Sequence, residues 1–469
     1  MRIRVLGQYV HASIAVLTVT EALWFYAAVY AAALARFHGD LQSLDNQPDL
    51  SGALWPRALL FSIVMVTCLL AFGLYSQRQR ARLGGLALRL VVALVTGFGV
   101  TGGLFYLIPN LWIGRGVVSL AAIGAFGGVF VSRLIFSRVA DEALFKRRVL
   151  VYGAGESAAA IAGLRRRTDR RGFQVMGFVP AHAEELGVAA DRILDNSGSL
   201  VQLCERLGVL EVVVAMDDRR RGFPLAELLQ CRLAGIDITE LLTFLERETG
   251  RVRLDVMNPS WMIFGQGFRR DPYRLITSRL FDLTGSLLVL GVALPVMLLT
   301  ALAIKVEEGW RAPVLYRQSR VGRAGRPFNI LKFRSMRVDA ERDGQARWAQ
   351  KRDPRITRVG SFIRKTRIDE LPQLLNVLRG DMSLVGPRPE RPEFVREHAE
   401  RIPYYVERHC VKPGITGWAQ LCYPYGSSER DSLEKLQYDL YYVKNASLLF
   451  DLAILLQTVE VVIMGNGAR

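Results

Sequence analysis

The sequence predicts a membrane protein of mixed class: an N-terminal bundle of four transmembrane helices, a middle α/β domain, and a C-terminal domain of helices and irregular loops seated on the bilayer by a re-entrant helix. Three observations predict it. Hydrophobic residues make up 51% of the 469 while charged residues still reach 22%, so the apolar side chains are gathered in blocks. Four such blocks fill the first third of the chain, each near the roughly 20 residues a helix needs to cross hydrocarbon. A strand, glycine turn and helix follow, and beyond a fifth apolar block the chain turns dense in Arg, Lys, Gly and Pro.

The formal net charge of +17 calls for a polyanionic partner. Lipid headgroups and phosphorylated substrates suit it better than nucleic acid. No helix-turn-helix or zinc-finger pattern is present, and the arginines lie in membrane-flanking and Gly/Pro-rich segments. The five cysteines, Cys68, Cys204, Cys231, Cys410 and Cys422, contain no CxxC pair. Reduced thiols in a cytosolic setting are therefore expected, rather than a disulfide framework or a zinc site.

The four spans are expected over residues 12–35, 53–75, 86–108 and 113–136. The first has no cleavage site and is followed by others, so it reads as a retained span. Their loops differ in charge. Arg2 and Arg4 precede the first block, Arg78, Arg80, Arg82 and Arg89 cluster between the second and third, and Arg133, Arg138, Lys146, Arg147 and Arg148 follow the fourth. The first loop carries Asp40, Asp45 and Asp49 instead, and the third is uncharged. The positive-inside rule then places the N-terminus and everything after residue 137 in the cytoplasm. Glu21 falls inside the first block and reads as a residue facing the bundle, paired with a neighbour.

The middle domain, over 146–260, opens with Val149-Leu150-Val151-Tyr152 as a buried strand, then Gly153-Ala154-Gly155-Glu156-Ser157-Ala158 and an alanine-rich helix. This is the start of a Rossmann-like unit, in which glycine makes the tight turn and the helix N-terminus can hold phosphate. Further strands are expected at 173–179 and 211–215. The second strand ends in Val179-Pro180, where a nicotinamide dinucleotide would need an acid for its ribose, so a structural or regulatory module is favoured over a cofactor site.

The fifth apolar block, about 281–304, has cationic flanks on both sides: Arg279 before it, and Lys305, Arg311, Arg317, Arg320 and Arg323 after. Pro295 lies inside and removes one helical hydrogen bond. Both features favour a helix–break–helix, broken at Pro295, that enters and leaves by the same face, over an ordinary fifth span. The final apolar run, 448–464, carries Asp451, Gln457 and Glu460 and reads as an interfacial or core-packed helix.

The chemistry is expected in the domain over 275–469. Its loops run through Phe328-Asn329-Ile330-Leu331-Lys332-Phe333-Arg334-Ser335-Met336, Arg364-Lys365-Thr366-Arg367-Ile368-Asp369-Glu370-Leu371-Pro372-Gln373, Gly386-Pro387-Arg388-Pro389-Glu390 and Lys412-Pro413-Gly414-Ile415-Thr416-Gly417-Trp418. Read physically, this is a polyanion pocket around adjacent carboxylates, with arginines for phosphate and Pro and Gly shaping the loops. Asp369 and Glu370 precede a helix expected at 371–378, whose N-terminus favours an ionised Asp369. An ionised aspartate beside a divalent metal can attack phosphorus. An Asp-Glu pair alone is more often a solvated helix start, and the basic loops around this one shift the balance.

From about residue 277 to 466 these motifs, in this order, resemble the bacterial polyprenyl-phosphate glycosyl-1-phosphate transferases of the monotopic-core type. With four spans and a Rossmann-like module in front, the chain is similar to the long members that start exopolysaccharide or O-antigen synthesis. The resemblance implies a reaction at the cytoplasmic face of the bacterial inner membrane. A UDP-sugar gives its phospho-sugar to an aspartate, UMP leaves, and undecaprenyl phosphate accepts the sugar phosphate, with Mg2+ as the metal. It implies Asp369 as nucleophile and metal ligand, Glu370 as its acidic partner, Lys332 and Arg388 as phosphate contacts, and Asp439 as a further active-site acid. Arg334 and Lys412 are added as substrate-binding candidates from charge and position. Members often carry Ser-Pro at the re-entrant break, whereas Leu294 precedes Pro295 here. Two other functions compete: a membrane-tethered NAD-dependent oxidoreductase or epimerase using the turn at Gly153, and a non-catalytic organiser of polysaccharide assembly. Glucose is the sugar favoured by analogy, and homo-oligomerisation is left open.

Overall fold

The computed structural model describes residues 2–5, 8–37, 53–72, 74–75, 83–108, 111–139, 146–164, 169, 172–182, 184–185, 187–195, 198–257, 272–337, 353–423, 426 and 428–463. The chain divides into two units, residues 1–249 and 250–469.

In the first unit an antiparallel pair, β1 (Arg2–Val5) and β2 (Gln8–His11), leads into the helices α1 (Ala12–Arg36), α2 (Leu54–Ala71), α3 (Leu83–Leu107) and α4 (Arg115–Val139). Val16–Arg36, Arg89–Leu107 and Arg115–Ile135 are long and apolar enough to cross a membrane, while the apolar stretch Leu54–Leu70 is shorter. The acidic first loop and the arginines at 78, 80 and 82 lie outside the described residues. Phe25, Phe61, Met65, Ala125 and Val129 are fully buried, and Leu23, Val95 and Ile123 point outward. Small residues let the helices close: Trp24 Nε1 donates to the Gly124 carbonyl at 2.9 Å, and α3 meets Met65 at Gly97. Glu21 is buried in the bundle and paired. Arg133 Nε and Nη2 reach its two oxygens at 2.8 and 3.0 Å, and the Tyr75 hydroxyl donates to it. Arg133 Nη1 also caps the Leu74 carbonyl at 2.9 Å, so this buried charge is neutralised and hydrogen-bonded.

The α/β part of the unit runs β3 (Arg147–Tyr152), α5 (Glu156–Ala162), β4 (Phe173–Val179), α6 (Leu200–Leu207), β5 (Glu211–Val214), α7 (Leu225–Leu233), β6 (Asp237–Glu240) and α8 (Leu241–Thr249). All four strands are parallel, in the order β4-β3-β5-β6. β3 and β5 are central, and Leu150, Val151, Val212 and Val213 are fully buried in them. β6 escapes a sequence reading because Asp237-Ile238-Thr239-Glu240 is a short, half-exposed, largely polar edge.

The second unit is organised on one long helix, α9 (Pro272–Glu308), followed by an antiparallel hairpin of β7 (Leu315–Val321) and β8 (Pro327–Phe333). Then come α10 (Arg358–Lys365), α11 (Gln373–Arg379), β9 (Ser383–Val385), α12 (Pro392–Arg401), β10 (Gly414–Thr416), α13 (Trp418–Cys422), α14 (Glu429–Asn445) and α15 (Leu448–Ile463). Short β10 lies parallel to β9. Val377, Met382, Leu384 and Ile454 form the core, and α15 packs into it, with Asp451 accepting from the Tyr442 hydroxyl at 2.8 Å. At Pro295, the expected break, the chain does not leave the helix; a proline there bends the helix without ending it. The backbone stays helical from Pro272 to Glu308, because a proline removes only one N–H from the ladder and the turns on either side sustain it. Both ends of α9 are bound to the unit that follows it, while Leu288, Val292 and Leu299 in its middle are exposed.

Candidate active site

Asp369 and Glu370 lie in a tight 3-10 turn, Ile368–Glu370, wedged between α10 and α11. The helix expected at 371–378 begins two residues later, at Gln373, with Pro372 as its N-cap. Thr357 starts α10 by accepting from the Gly360 amide at 2.9 Å, and Gly380 ends α11 in the left-handed region. Between the helices the chain reverses through Arg367, whose φ of +62° is a conformation that side chains other than glycine resist.

Three cations converge on a single oxygen of Glu370. Lys332 Nζ lies 3.1 Å from Oε1, Arg388 Nη2 3.2 Å and Arg367 Nη1 3.8 Å. Burial alone pushes the Glu370 carboxyl upward, but Lys332, Arg388 and Arg367 outweigh it and hold the group well below the usual carboxylate range. Asp369 is displaced the other way, first by burial and then by the negative charge of Glu370, with Lys332, Arg367 and Arg364 opposing. The helix-start effect expected for Asp369 is thus overridden by desolvation. Its Oδ1 is buried and has no hydrogen-bond partner among the described residues. The two carboxyls are pushed apart in character: one is a fixed, neutralised anion, the other an uncommitted oxygen.

Lys332 is set by its strand. Asn376, wholly buried on α11, accepts from the Leu331 amide at 3.0 Å and donates to the Asn329 carbonyl at 2.8 Å, sewing β8 onto the helix that follows the dyad. Arg388 is set by its loop, which crosses the Lys412–Gly417 segment backbone to backbone. A Cβ on Gly414 would fall 2.1 Å from the Gly386 amide nitrogen, so this crossing requires glycine. Arg320 Nη1 holds the next carbonyl, Pro389, at 3.1 Å. A small pocket of about 10 Å³, room for a single water, lies beside these groups, lined by Arg320, Ile330, Lys332, Gln373, Arg388, Pro389 and Gly414.

The other candidates sit elsewhere. Arg334 is two residues from Lys332 on the same run, and it donates to the Pro313 carbonyl at 3.0 Å and covers the Tyr316 ring. Lys412 lies by Gly380 at the end of α11, where burial and then Arg279 push its ammonium down from the usual lysine range. Asp439 is buried 2.8 Å from Arg408, and burial raises it to about 6. It meets Arg408 rather than the dyad. Three residues that sequence reasoning passed over, Arg367, Asn376 and Arg408, shape the site. Arg367 stood in the quoted run, but only its φ and its distance to Glu370 mark it out.

Magnesium can be tested against this donor set. Among the described residues no group of three or more His, Cys, Asp or Glu converges, so the protein would offer a metal ion fewer than three such ligands. Mg2+ is commonly held by one or two carboxylates together with substrate phosphates and water, and the unpartnered Oδ1 of Asp369 is such a ligand. The residues fit.

Residues 273–465 match the bacterial sugar transferase family. The chain is 42% identical over 242 residues to the UDP-N-acetylgalactosamine-undecaprenyl-phosphate N-acetylgalactosaminephosphotransferase of Aeromonas hydrophila, a match covering 52% of this chain and 56% of that one. It is 30% identical over 442 residues to the UDP-glucose:undecaprenyl-phosphate glucose-1-phosphate transferase of Xanthomonas campestris pv. campestris, covering 86% and 87%. With the transferase of that name from Escherichia coli (strain K12) it shares 34% over 321 residues, 67% of each chain. Fold, site and relatives together define a membrane enzyme of the glycosylphosphotransferase class. The chain belongs to the bacterial sugar transferase family.

Proposed function

We propose that this enzyme transfers sugar 1-phosphate from a UDP-sugar to undecaprenyl phosphate, releasing UMP, through a phospho-sugar ester on Asp369, and that it thereby initiates exopolysaccharide or O-antigen synthesis. The observation that carries the reading is the division of labour in the dyad: Asp369 Oδ1 has no hydrogen-bond donor, while Glu370 is held ionised by Lys332, Arg388 and Arg367. An Asp369 oxygen attacks the phosphorus next to the sugar, forming an O–P bond as the bridge to the second phosphate breaks and UMP departs. A phosphate oxygen of the lipid then attacks the same phosphorus, a diphosphate bond forms, and the carboxylate is released. Lys332 and Arg388 would meet the substrate phosphates, and Glu370 keeps the two cations in place before substrate arrives. Mg2+, when bound at Asp369, supplies positive charge that offsets the repulsion between carboxylate and diphosphate.

The same-face arrangement of α9 is supported by its ends. Arg279 binds α11 and Glu307 binds α10, although a straight helix would separate the two by about 42 Å. A helix crossing the bilayer would leave one of these partners on the far side from its own domain. Together with the basic flanks of the spans, which favour the cytoplasmic side, this supports a catalytic unit on the cytoplasmic face of the inner membrane, re-entrant at α9.

Membranes containing the chain, given undecaprenyl phosphate and a panel of labelled UDP-sugars, are expected to release UMP, to yield a lipid diphosphate sugar, and to lose both with Asp369→Asn. Full turnover by Asp369→Asn would remove that residue from the nucleophile's role. The relatives named above differ in their sugar, and the panel assigns it. Against an oxidoreductase, the turn at Gly153 already carries the chain's own anions. Asp217 accepts from the Glu156 and Ser157 amides at 2.9 and 2.7 Å, and Glu185 from the Ala154 amide at 2.7 Å, where a dinucleotide phosphate would sit.

A further inference from the structure

The two ends of α9 grip the two helices that flank the dyad. At one end, Glu307 Oε1 and Oε2 accept from the Arg358 and Val359 amides at 2.8 and 2.9 Å, in the first turn of α10. At the other, Arg279 Nη1 and Nη2 donate to the Val377 and Leu378 carbonyls at 2.6 and 2.7 Å, in the last turn of α11. Helix ends leave such groups short of intrahelical partners, although the Val377 carbonyl also accepts from the Gly380 amide at 3.0 Å. The charges have the right signs as well, an anion on a helix N-terminus and a cation on a C-terminus.

What lies between the clamps is the reacting pair. Residues 366–372 join α10 to α11; the turn within them is closed by two backbone hydrogen bonds, Glu370 N to Arg367 O at 3.2 Å and Leu371 N to Ile368 O at 3.1 Å, and Glu370 is tied to Lys332 and Arg388. A left-handed arginine persists only where its surroundings hold it, and the main chain on either side of the turn is bonded to both helices, Arg367 N to Arg364 O of α10 and Leu374 N of α11 to Leu371 O, so the turn's shape also depends on where α10 and α11 sit. Apolar contacts from the same membrane helix add to the clamps. Ile304 packs with Phe333 and Ile363 beside Ile368, and Gly285 lies so close to Leu384 that a Cβ there would be 2.7 Å from its side chain.

We propose that Glu307 and Arg279 are positioning residues for the transfer. They fasten the turn that bears Asp369 and Glu370 to the membrane helix from both sides, so that the seating of α9 in the bilayer sets the geometry of the dyad. The proposal rests on the reading of Asp369 and Glu370 as the reacting pair.

The test uses the full chain in lipid nanodiscs, with Glu307→Ala, Glu307→Gln, Arg279→Ala and Arg279→Lys. Two quantities are measured: UMP release kinetics, and amide hydrogen exchange across 366–372 and across β7–β8. Each alanine variant is expected to lose about tenfold to a hundredfold in kcat, the scale of a small misplacement of reacting groups. KM for the UDP-sugar should stay within about twofold, since neither residue contacts substrate. Exchange should quicken at the Glu370 and Leu371 amides while β7–β8 is unchanged, and Glu307→Gln, which keeps one acceptor, should recover part of the rate. Unchanged kcat together with unchanged exchange at the turn overturns the proposal, as does faster exchange spread evenly over the unit, which marks a merely structural role. If the wild-type chain releases no UMP from any UDP-sugar, the transferase reading fails, and the exchange arm still decides the clamp.

Discussion

Arg408, buried behind the site, donates Nη2 to the main-chain carbonyl of Arg388 at 3.0 Å. The same guanidinium binds Asp439 at 2.8 Å and the Tyr405 hydroxyl at 2.8 Å. Arg388 in turn binds Glu370, so a line of contacts runs from Asp439 to the dyad without Asp439 touching it. The acid that the family resemblance places at the reaction centre meets Arg408 here, and Arg408 in turn holds the Arg388 carbonyl.

That line predicts two different failures. Arg408→Met leaves Asp439 buried without its cation and should destabilise the catalytic unit by about 3–5 kcal/mol, measured by thermal unfolding. Asp439→Asn keeps size and a hydrogen-bonding oxygen, so the unit should fold while UMP release falls, because Arg408 is less firmly held. If Asp439→Asn loses no activity, the support is dispensable.

The dyad predicts opposite movements in pH dependence. Asp369 attacks only when ionised, so the rate falls as pH drops through its raised pKa. Glu370→Gln removes a negative neighbour that raises Asp369, and the acid limb of kcat/KM for UMP release should move to lower pH, at reduced rate. Lys332→Met removes a cation that lowers Asp369, and the limb should move to higher pH. Movement of both in one direction contradicts the assignment of Asp369 as the titrating nucleophile.

Arg367 combines a left-handed backbone with a charge on Glu370. Arg367→Gly should keep stability, because glycine adopts this φ freely, yet lower the transfer rate through the lost cation. Arg367→Val should cost about 2 kcal/mol, because a β-branched residue resists the conformation, and lower the rate as well. Thermal unfolding of the two variants side by side separates strain from charge.

Asn376 joins β8 to α11 through one buried and one part-buried hydrogen bond. Asn376→Ala orphans the Leu331 amide and the Asn329 carbonyl, at a cost of about 1–3 kcal/mol for each group left unpaired. Since Lys332 is the next residue along β8, KM for the UDP-sugar should rise as well. A stable variant with unchanged KM would mean that β8 holds Lys332 unaided.

Much of this was legible in the linear chain because it is itself linear. The length of an apolar run is counted along the sequence, so three of the four N-terminal spans and the long α9 could be placed from composition, with α2 found shorter than its apolar block. β3 and β5 are runs of buried Val and Leu, and both could be read. β6 could not, since its polar residues carry no strand signal until β5 lies beside them. At Pro295 the proline suggested a break, but one missing hydrogen bond does not end a helix supported by its neighbouring turns.

For the site, the Asp369-Glu370 pair stood out by its charge and setting, and the family resemblance added Lys332 and Arg388, which meet at one oxygen of Glu370. Charge also named Arg334 and Lys412, whose contacts lie elsewhere, because net positive charge does not say which way a side chain points. The sequence by itself determined that this chain enters a membrane, that a parallel α/β domain follows the spans, and that an Asp-Glu pair lies among phosphate-seeking cations. Those are properties of residue type and spacing. Only the tertiary structure decided which carboxyl is neutralised and which is left uncommitted, that Asp439 meets Arg408 rather than the dyad, and that the two ends of one membrane helix contact the dyad's flanking helices. Each of these depends on burial and on distances between residues far apart in the chain, which come into being only when the chain is folded.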